Sequence, residues 1–434
     1  MAHMQQGRTA LSARPYIRYS ISMKDKKFIS LIALGPILMA TGLAFAENTA
    51  YMQLKGSADA QAQTAPAPSL SASKGIYGEN SMQDYYQVPE RLKRLADSTV
   101  AFVKKDRLEY NPAGNTYKAK NAVKIAESHY SDESEDFSSQ ATLSECSGAF
   151  VGKGLILTAG HCTSKDPKAA NYYEKYFLVF GWKSDKEGSA AMDFPADDVY
   201  TIKNIEVHAL EGETGNGVTN RDFALLSMDR EPAGRQPLEL ELDQAPRIGR
   251  KVFTIGYPLG LAVKINNPDH AQIYNVEKSL FHTNIDAFGG NSGGPAFDSA
   301  TNKIIGILVT AVGAGYSYEL KQDLSFKMEF ILSSGYVEFK PEQGTILIAP
   351  VLRSRILSDL HNAKAGIAVL DENTYHVTLP KGIRIDSRNL SFNLVTDYSG
   401  REAFNRGWLV RHDQDTYGTS VMRLPEEIKN LIQP

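Results

Sequence analysis

The chain of 434 residues has few cysteines and no excess of basic charge. Its two cysteines, Cys146 and Cys162, are too few for a disulfide-rich scaffold but sufficient for one bridge. The formal net charge of −3 argues against the basic surface that nucleic-acid binding requires, so we expect no nucleic-acid partner. The hydrophobic fraction of 42% is typical of a folded globular protein, and the length predicts roughly two to three domains.

The first 74 residues differ in composition from the rest of the chain. Residues 23–46 combine three lysines, an apolar stretch and an A-x-A site, which predicts a cleaved signal peptide. The alternative is an uncleaved membrane anchor, because the apolar stretch is nearly long enough to span a bilayer. Residues 1–22 are interpreted as a leader or a miscalled start. Residues 47–74, rich in Ala, Gln, Ser and Pro, predict a linker or pro-segment, with a cut near Lys74 as a hypothesis.

This organisation predicts an exported protein, either secreted or periplasmic. No second apolar stretch could span a membrane, so we expect no stable membrane insertion once the signal is removed. We also expect a monomer.

Short apolar runs rich in Val, Ile and aromatic residues recur from about residue 77 to residue 360. Gly, Asn and Asp separate these runs, which predicts an antiparallel sandwich or barrel. The spacing of apolar residues over 354–363 predicts a helix that closes the domain. Residues 363–434 return to strand-like runs and end in the helical pattern PEEIKNLI, so we predict a small β-rich C-terminal extension of unknown role.

Three segments carry residues whose side chains could take part in catalysis. LILTAGHC places His161 after an apolar strand, NRDFALL places Asp222 before one, and GGNSGGP places Ser292 in a glycine-rich turn. A serine becomes a nucleophile when an imidazole takes its proton and a carboxylate orients the imidazole. The glycines let the N–H groups of Gly290 and Ser292 point at one spot, which predicts an oxyanion hole.

Each segment alone has a simpler interpretation: a structural histidine, a turn-capping aspartate and a glycine-rich loop. Together, in the order His, Asp, Ser, they favour a catalytic triad. His208 and His282 have no motif around them and are interpreted as structural. The acidic stretch 132–137 is interpreted as a solvated loop, with a calcium site as the alternative. We expect no cofactor and no metal.

The segments CSGAFVGKGLILTAGHC (146–162), DFALL (222–226) and GNSGGP (290–295) resemble the chymotrypsin-like, trypsin-fold serine peptidases. The resemblance covers about residues 76–362. It is strongest to the bacterial branch that includes the glutamyl endopeptidases, because GYPLG (256–260) and the segment that begins at Ile76 resemble that branch. It implies an all-β fold, a double antiparallel β-barrel of the trypsin-like type, with the site between the barrels and a C-terminal helix.

The resemblance also implies a role for each residue of the site. It assigns the general base to His161, the orienting carboxylate to Asp222 and the nucleophile to Ser292. It further implies a disulfide between Cys146 and Cys162, which export would permit. The alternative for the cysteines, a catalytic or metal-binding thiol pair, lacks companion ligands.

Two departures from the family concern activation and specificity. Asn291 stands where digestive members carry an aspartate that pairs with a new amino terminus, so we expect no such switch. Leu308 stands where glutamyl endopeptidases have a pocket histidine, which argues against glutamate specificity. Asp286, six residues before Ser292, has the spacing of a pocket-base carboxylate that would attract Lys or Arg.

The alternative for Asp286 is that it caps a turn or faces away, because no disulfide shapes this pocket. The pocket residues predicted on the first interpretation are Asp286, Ala287, Thr310, Ala311 and Gly313.

The sequence therefore predicts an exported serine endopeptidase that acts on protein or peptide substrates, with cleavage after Lys or Arg as a hypothesis. One alternative is a non-catalytic binding protein on the same fold, although the triad and the glycine turn are intact. Another is an HtrA-type quality-control protease, for whose peptide-binding domain residues 363–434 are short.

Overall fold

The computed structural model describes eleven stretches of the chain: 75–163, 172–213, 219–241, 244–310, 316–331, 336–340, 346–348, 353–371, 373–385, 404–424 and 426–432. The predicted leader, signal peptide and linker (1–22, 23–46 and 47–74) lie outside the described residues. Within the described stretches, no helix is long and apolar enough to cross a membrane.

The first of two β-barrels is closed by six antiparallel strands. In barrel order they are Tyr176–Val179, Val199–Glu213, Thr219–Met228, Leu155–Thr158, Cys146–Gly152 and Thr99–Lys104. Residues of Cys146–Gly152 are buried on both faces of the strand except at its last position, which explains its nearly unbroken run of apolar and small residues. Closure leaves no unpaired edge in this sheet.

The second barrel also has six antiparallel strands. They are Lys251–Gly256, Pro295–Asp298, Ile304–Thr310, Thr419–Arg423, Leu280–Thr283 and Ala271–Val276, which returns to the first. The strands Lys264–Asn266 and Met82–Asp84 extend this sheet. The predicted double barrel of the trypsin-like type is therefore confirmed.

The sixth strand of the second barrel comes from the end of the chain. Thr419–Arg423 pairs with Leu280–Thr283 on one side and with Ile304–Thr310 on the other. The barrel thus extends beyond the boundary predicted at residue 362, and residues 311–418 are an insertion between two of its strands. The physical reason is pairing: without Thr419–Arg423, the edges of both neighbouring strands would be unpaired.

The insertion carries sheets of its own. A five-stranded sheet contains Ile346–Ile348, Tyr336–Lys340, Leu324–Ile331, Thr374–Leu379 and Gly366–Val369, in that order. A three-stranded sheet contains Arg384–Ile385, Tyr316–Glu319 and Trp408–Leu409. Arg411–His412 pairs in parallel with Ile76–Tyr77. The remaining small sheets are formed by Leu108–Asn111, Thr116–Ala119 and Asp193–Pro195, by Ser184–Lys186 and Ser189–Ala190, and by Val123–Lys124 and Ala141–Thr142.

The described α-helices are few and short: Glu90–Asp97, Ile125–Ser128, Arg353–Asn362 and Glu426–Ile432. The helix predicted at 354–363 is present as Arg353–Asn362, but it lies inside the insertion and does not close the domain. Glu426–Ile432, predicted from PEEIKNLI, follows the last strand and buries Ile428 completely. The 3-10 turns are Tyr85–Gln87, Lys105–Arg107, Gly160–Cys162, Tyr172–Lys175, Ala196–Asp198 and Pro258–Gly260.

Buried side chains of both barrels form one hydrophobic cluster, which holds the barrels together. Phe102 and Leu225 enter it from the first barrel, and Phe253 stacks on Phe297 in the second at a centroid distance of 5.0 Å. The hydroxyl of the buried Tyr257 donates to the Thr99 carbonyl, a hydrogen bond of 2.9 Å from one barrel to the other. The surface between the barrels is therefore fixed by packing and by a satisfied polar contact.

Candidate active site

His161 and Asp222 form the most closely connected pair of the candidate site. His161 lies in the turn Gly160–Cys162, and Asp222 lies in the strand Thr219–Met228, buried from solvent. Asp222 Oδ2 is 2.7 Å from His161 Nδ1, and Asp222 Oδ1 accepts the His161 backbone N–H at 3.0 Å. Because an ionised carboxylate only accepts, Nδ1 carries the proton, and the lone pair of the imidazole lies on Nε2.

Glycine at position 160 makes this approach possible. A β-carbon there would lie 2.2 Å from the Ala209 carbonyl oxygen, which no side chain tolerates. The Gly160 carbonyl in turn accepts a hydrogen bond from His208 Nε2 at 3.1 Å. His208 thus supports the turn that carries His161, which agrees with its structural interpretation.

Ser292 lies in a turn whose backbone is tightly constrained. Gly290 has a φ of +98°, and a β-carbon there would lie 2.2 Å from the Tyr257 carbonyl oxygen. The Gly289 carbonyl accepts the Leu259 N–H at 2.5 Å, so in a trans peptide the Gly290 N–H points the opposite way. Among the described residues, neither the Gly290 N–H nor the Ser292 N–H donates to a backbone carbonyl.

The Ser292 turn packs against the chain on either side of His161. The Ser292 carbonyl accepts the Ser147 N–H at 2.8 Å and lies 3.5 Å from Cys162 Sγ. A β-carbon on Gly293 would lie 2.8 Å from the Ala159 nitrogen. The Ser292 turn therefore lies against residues on either side of His161, whose imidazole contacts Asp222. The described contacts include no hydrogen bond between the side chains of His161 and Ser292.

Residues 146–307 match the family model of the trypsin-like peptidase domain. The chain contains a trypsin-like peptidase domain. The matched segment begins at Cys146, includes His161, Asp222 and Ser292, and ends in the strand before the insertion.

Comparison with solved structures adds two similar chains. One is a Glu endopeptidase in complex with MPD, 15% identical, with a TM-score of 0.34, covering 54% of this chain and 87% of that chain. The other is the inactive form of Rv3671c from M. tuberculosis H37Rv, a serine-to-alanine mutant, 12% identical, with a TM-score of 0.29, covering 50% of this chain and 80% of that one. No curated protein sequence matches this chain.

The peptidase domain contains the predicted disulfide. Cys146 and Cys162 are bonded, with Cα atoms 6.1 Å apart, and both are buried. The bridge ties the turn of His161 to the strand Cys146–Gly152. Among the described residues, one group has ligand atoms close enough together to hold a metal: Cys146, His161 and Cys162. Because the disulfide uses both sulfurs, only His161 of this group could still donate to a metal.

Replacing both Cys146 and Cys162 by alanine is expected to lower the free energy of unfolding by about 3 kcal/mol, because the bridge closes a loop of 16 residues in the unfolded chain. Urea unfolding of the oxidised protein and of the variant measures this difference. A variant as stable as the parent would contradict the expectation.

The structure places Asp286 differently from a pocket-base carboxylate. Asp286 is fully buried, Oδ1 accepts the Tyr77 N–H at 2.7 Å, and Oδ2 accepts the N–H and hydroxyl of Ser81 at 2.8 and 2.6 Å. Burial raises the pKa of Asp286, and the hydrogen bonds from Ser81 and Tyr77 act in the opposite direction. No local signal in the sequence pointed to these hydrogen bonds, because Ser81 and Tyr77 lie 205 and 209 positions before Asp286 in the chain.

The other tentative pocket residues are only partly described. Ala287 is buried, and its N–H donates to the Gly75 carbonyl at 3.2 Å. Thr310 pairs with Ser420 of the neighbouring strand in the second barrel. Ala311 and Gly313 lie outside the described residues.

The remaining polar residues singled out by the sequence have partners within the protein. Glu135 is buried and accepts two hydrogen bonds of 3.1 Å from Arg411, so the acidic stretch 132–137 is not wholly solvated. His282 is buried between Ser420 and Glu277, at 3.0 and 2.9 Å, which agrees with a structural role.

Proposed function

We propose that the trypsin-like peptidase domain is an active serine endopeptidase that hydrolyses peptide bonds through an acyl-enzyme. The observation that carries this proposal is the double contact of Asp222 with His161. It holds the imidazole in the tautomer that presents an unprotonated Nε2, the form a general base needs. The proximity of the Ser292 turn to both sides of His161 adds support.

In the proposed mechanism, Ser292 Oγ attacks the carbonyl carbon of the scissile bond while His161 Nε2 takes the hydroxyl proton. The N–H groups of Gly290 and Ser292 donate to the oxyanion of the tetrahedral intermediate. The imidazolium, stabilised by Asp222, then protonates the leaving amine. A water molecule, deprotonated by the same imidazole, releases the acyl group and regenerates Ser292. A hydrogen bond between Ser292 and His161 commonly tightens when substrate binds.

Export to the periplasm or the medium belongs to the same proposal. A disulfide beside the site suits an oxidising compartment, and residues 23–46 have the composition of a signal peptide. The HtrA-type alternative assigns residues 363–434 to a separate peptide-binding domain, but Thr419–Arg423 within that range is a strand of the second barrel. Cleavage after Lys or Arg stays a prediction, and the partners of Asp286 argue against it.

Labelling with a fluorophosphonate probe tests the proposed function directly, because the probe phosphonylates a serine only when it is activated. We expect the folded protein to be labelled and Ser292→Ala to remain unlabelled. Ser299→Ala is a matched control, since Ser299 lies nearby in sequence and its hydroxyl donates to the Pro268 carbonyl. Absence of labelling in a folded, processed protein would overturn the proposal in favour of a binding protein.

A further inference from the structure

The segment Gly75–Ser81 contacts two other parts of the chain, residues 286–287 and the strand Arg411–His412. On one side, the Gly75 carbonyl accepts the Ala287 N–H, and Asp286 accepts from Tyr77 and Ser81. On the other side, the strand Ile76–Tyr77 pairs with Arg411–His412 of the insertion. The segment thus joins the chain that precedes Ser292 to the inserted region.

The contacts of Asp286 use its capacity to accept hydrogen bonds. A carboxylate offers about four lone-pair sites, and three donors of the segment occupy three of them. The Asn266 side chain donates to the Ser81 hydroxyl and to the Asp286 carbonyl, which completes the network. His270 Nε2 lies 3.7 Å from Asp286 Oδ2 and 2.8 Å from the Tyr77 carbonyl oxygen. A substrate cation would have to displace these partners.

The Tyr77 side chain adds a contact with the insertion. It is fully buried, and its ring stacks on His412 at a centroid distance of 5.1 Å. On the last strand of the barrel, Thr419 donates to the Ile285 carbonyl at 2.7 Å. Tyr77 therefore links the Asp286 carboxylate, through its backbone N–H, to the insertion, through the stacking of its ring on His412.

The same stretch of chain leads into the Ser292 turn. The Phe288 N–H donates to Asn291 Oδ1 at 3.0 Å, and the Asn291 N–H donates to the Phe288 carbonyl at 3.1 Å. Residues 286–291 are thus held at one end by Gly75–Ser81 and at the other by their own hydrogen bonds. Movement at Asp286 would be transmitted to Gly290 and Ser292 through a short backbone segment, of which residues 286–288 are buried.

We propose that Asp286 anchors the segment Gly75–Ser81 and thereby positions the wall of the substrate pocket and the turn of Ser292, so that the pocket accepts an uncharged side chain. Asp286 is a positioning residue and does not read a basic side chain. This inference deepens the proposed function and rests on it.

The first test needs no variant. The protein is given peptides that differ only in Ala, Leu, Arg or Glu before the scissile bond. We expect kcat/KM to be about 10-fold or more higher for Ala or Leu than for Arg or Glu, because a charged side chain would be buried without a partner. A preference for Arg would overturn the inference while leaving the proposed function intact, and so would a preference for Glu.

The second test separates positioning from simple stability. In Asp286→Asn the amide N–H₂ faces hydrogen-bond donors of Tyr77 or Ser81 and cannot accept from them. We therefore expect the rate of fluorophosphonate labelling and kcat to fall about 10- to 100-fold, with a smaller change in KM. Ser81→Ala should lose part of the rate and Ser81→Thr, which keeps the hydroxyl, should retain it. Asp269→Asn, an exposed change nearby, is the matched control.

Circular dichroism at the assay temperature confirms that each variant is folded. Wild-type labelling and kcat in folded Asp286→Asn would overturn the positioning role. No labelling of the parent protein would overturn the proposed function and this inference with it, which distinguishes the two failures.

Discussion

Asp222→Asn is expected to lower kcat/KM for peptide hydrolysis about 10⁴-fold while the fold stays intact. Asp222 Oδ1 accepts the His161 backbone N–H, and Oδ2 faces Nδ1. In asparagine the single carbonyl oxygen must stay with the backbone donor, because an N–H₂ group cannot accept. The N–H₂ group then faces Nδ1 and forces the proton onto Nε2. An imidazole with a proton on Nε2 cannot take the proton of Ser292.

Steady-state kinetics on one peptide substrate, with thermal unfolding of the same samples, measures this effect. Asp229→Asn makes the same chemical change at the exposed position that follows the strand Thr219–Met228, where Asp229 accepts the Thr201 N–H. We expect this control to keep the activity of the parent. If kcat/KM of Asp222→Asn fell less than about tenfold, the tautomer of the His161 imidazole could not depend on this carboxylate.

Val421→Asp is expected to lower the free energy of unfolding by more than about 4 kcal/mol. Val421 is 0% exposed and lies in Thr419–Arg423, between Phe281 on one neighbouring strand and Leu308 on the other. A carboxylate there has no counter-ion among the described neighbours, and burying an unpaired charge costs several kcal/mol. Such a loss is comparable to the whole stability of a typical domain.

Urea unfolding followed by tryptophan fluorescence gives the free energy, and failure to obtain soluble protein counts as the same result. Val369→Asp is the matched control, because Val369 is 68% exposed in the strand Gly366–Val369 of the insertion. We expect it to change stability by no more than about 0.5 kcal/mol. Equal effects of the two changes would contradict the assignment of Thr419–Arg423 to the barrel core.

The sequence predictions about the fold and the candidate site depend on short segments of the chain. The turn after LILTA carries His161 next to Cys162. Gly290, Gly293 and Gly294, which lie close to Ser292, are required because a β-carbon at each would come within 2.8 Å of a backbone oxygen. The family resemblance carried by such motifs implied the double barrel, and the spacing of apolar residues in PEEIKNLI predicted the final helix. Local patterns suffice here because the physical requirement itself is local.

Two features were decided by tertiary structure alone. The strand Thr419–Arg423 has no pattern that distinguishes it from the strands of the insertion, and only its pairing with Ile304–Thr310 places it in the second barrel. Asp286 has the spacing of a pocket carboxylate, yet its oxygens accept from Tyr77 and Ser81, which precede it by more than 200 positions.

The sequence by itself determined which residue types meet at the candidate site and the kind of chemistry they support. Only the folded chain showed that the Asp286 carboxylate accepts hydrogen bonds from Tyr77 and Ser81. The reason is that hydrogen-bond partners distant in sequence are chosen by the closure of the barrels, and a spacing of six residues carries no information about what packs against it.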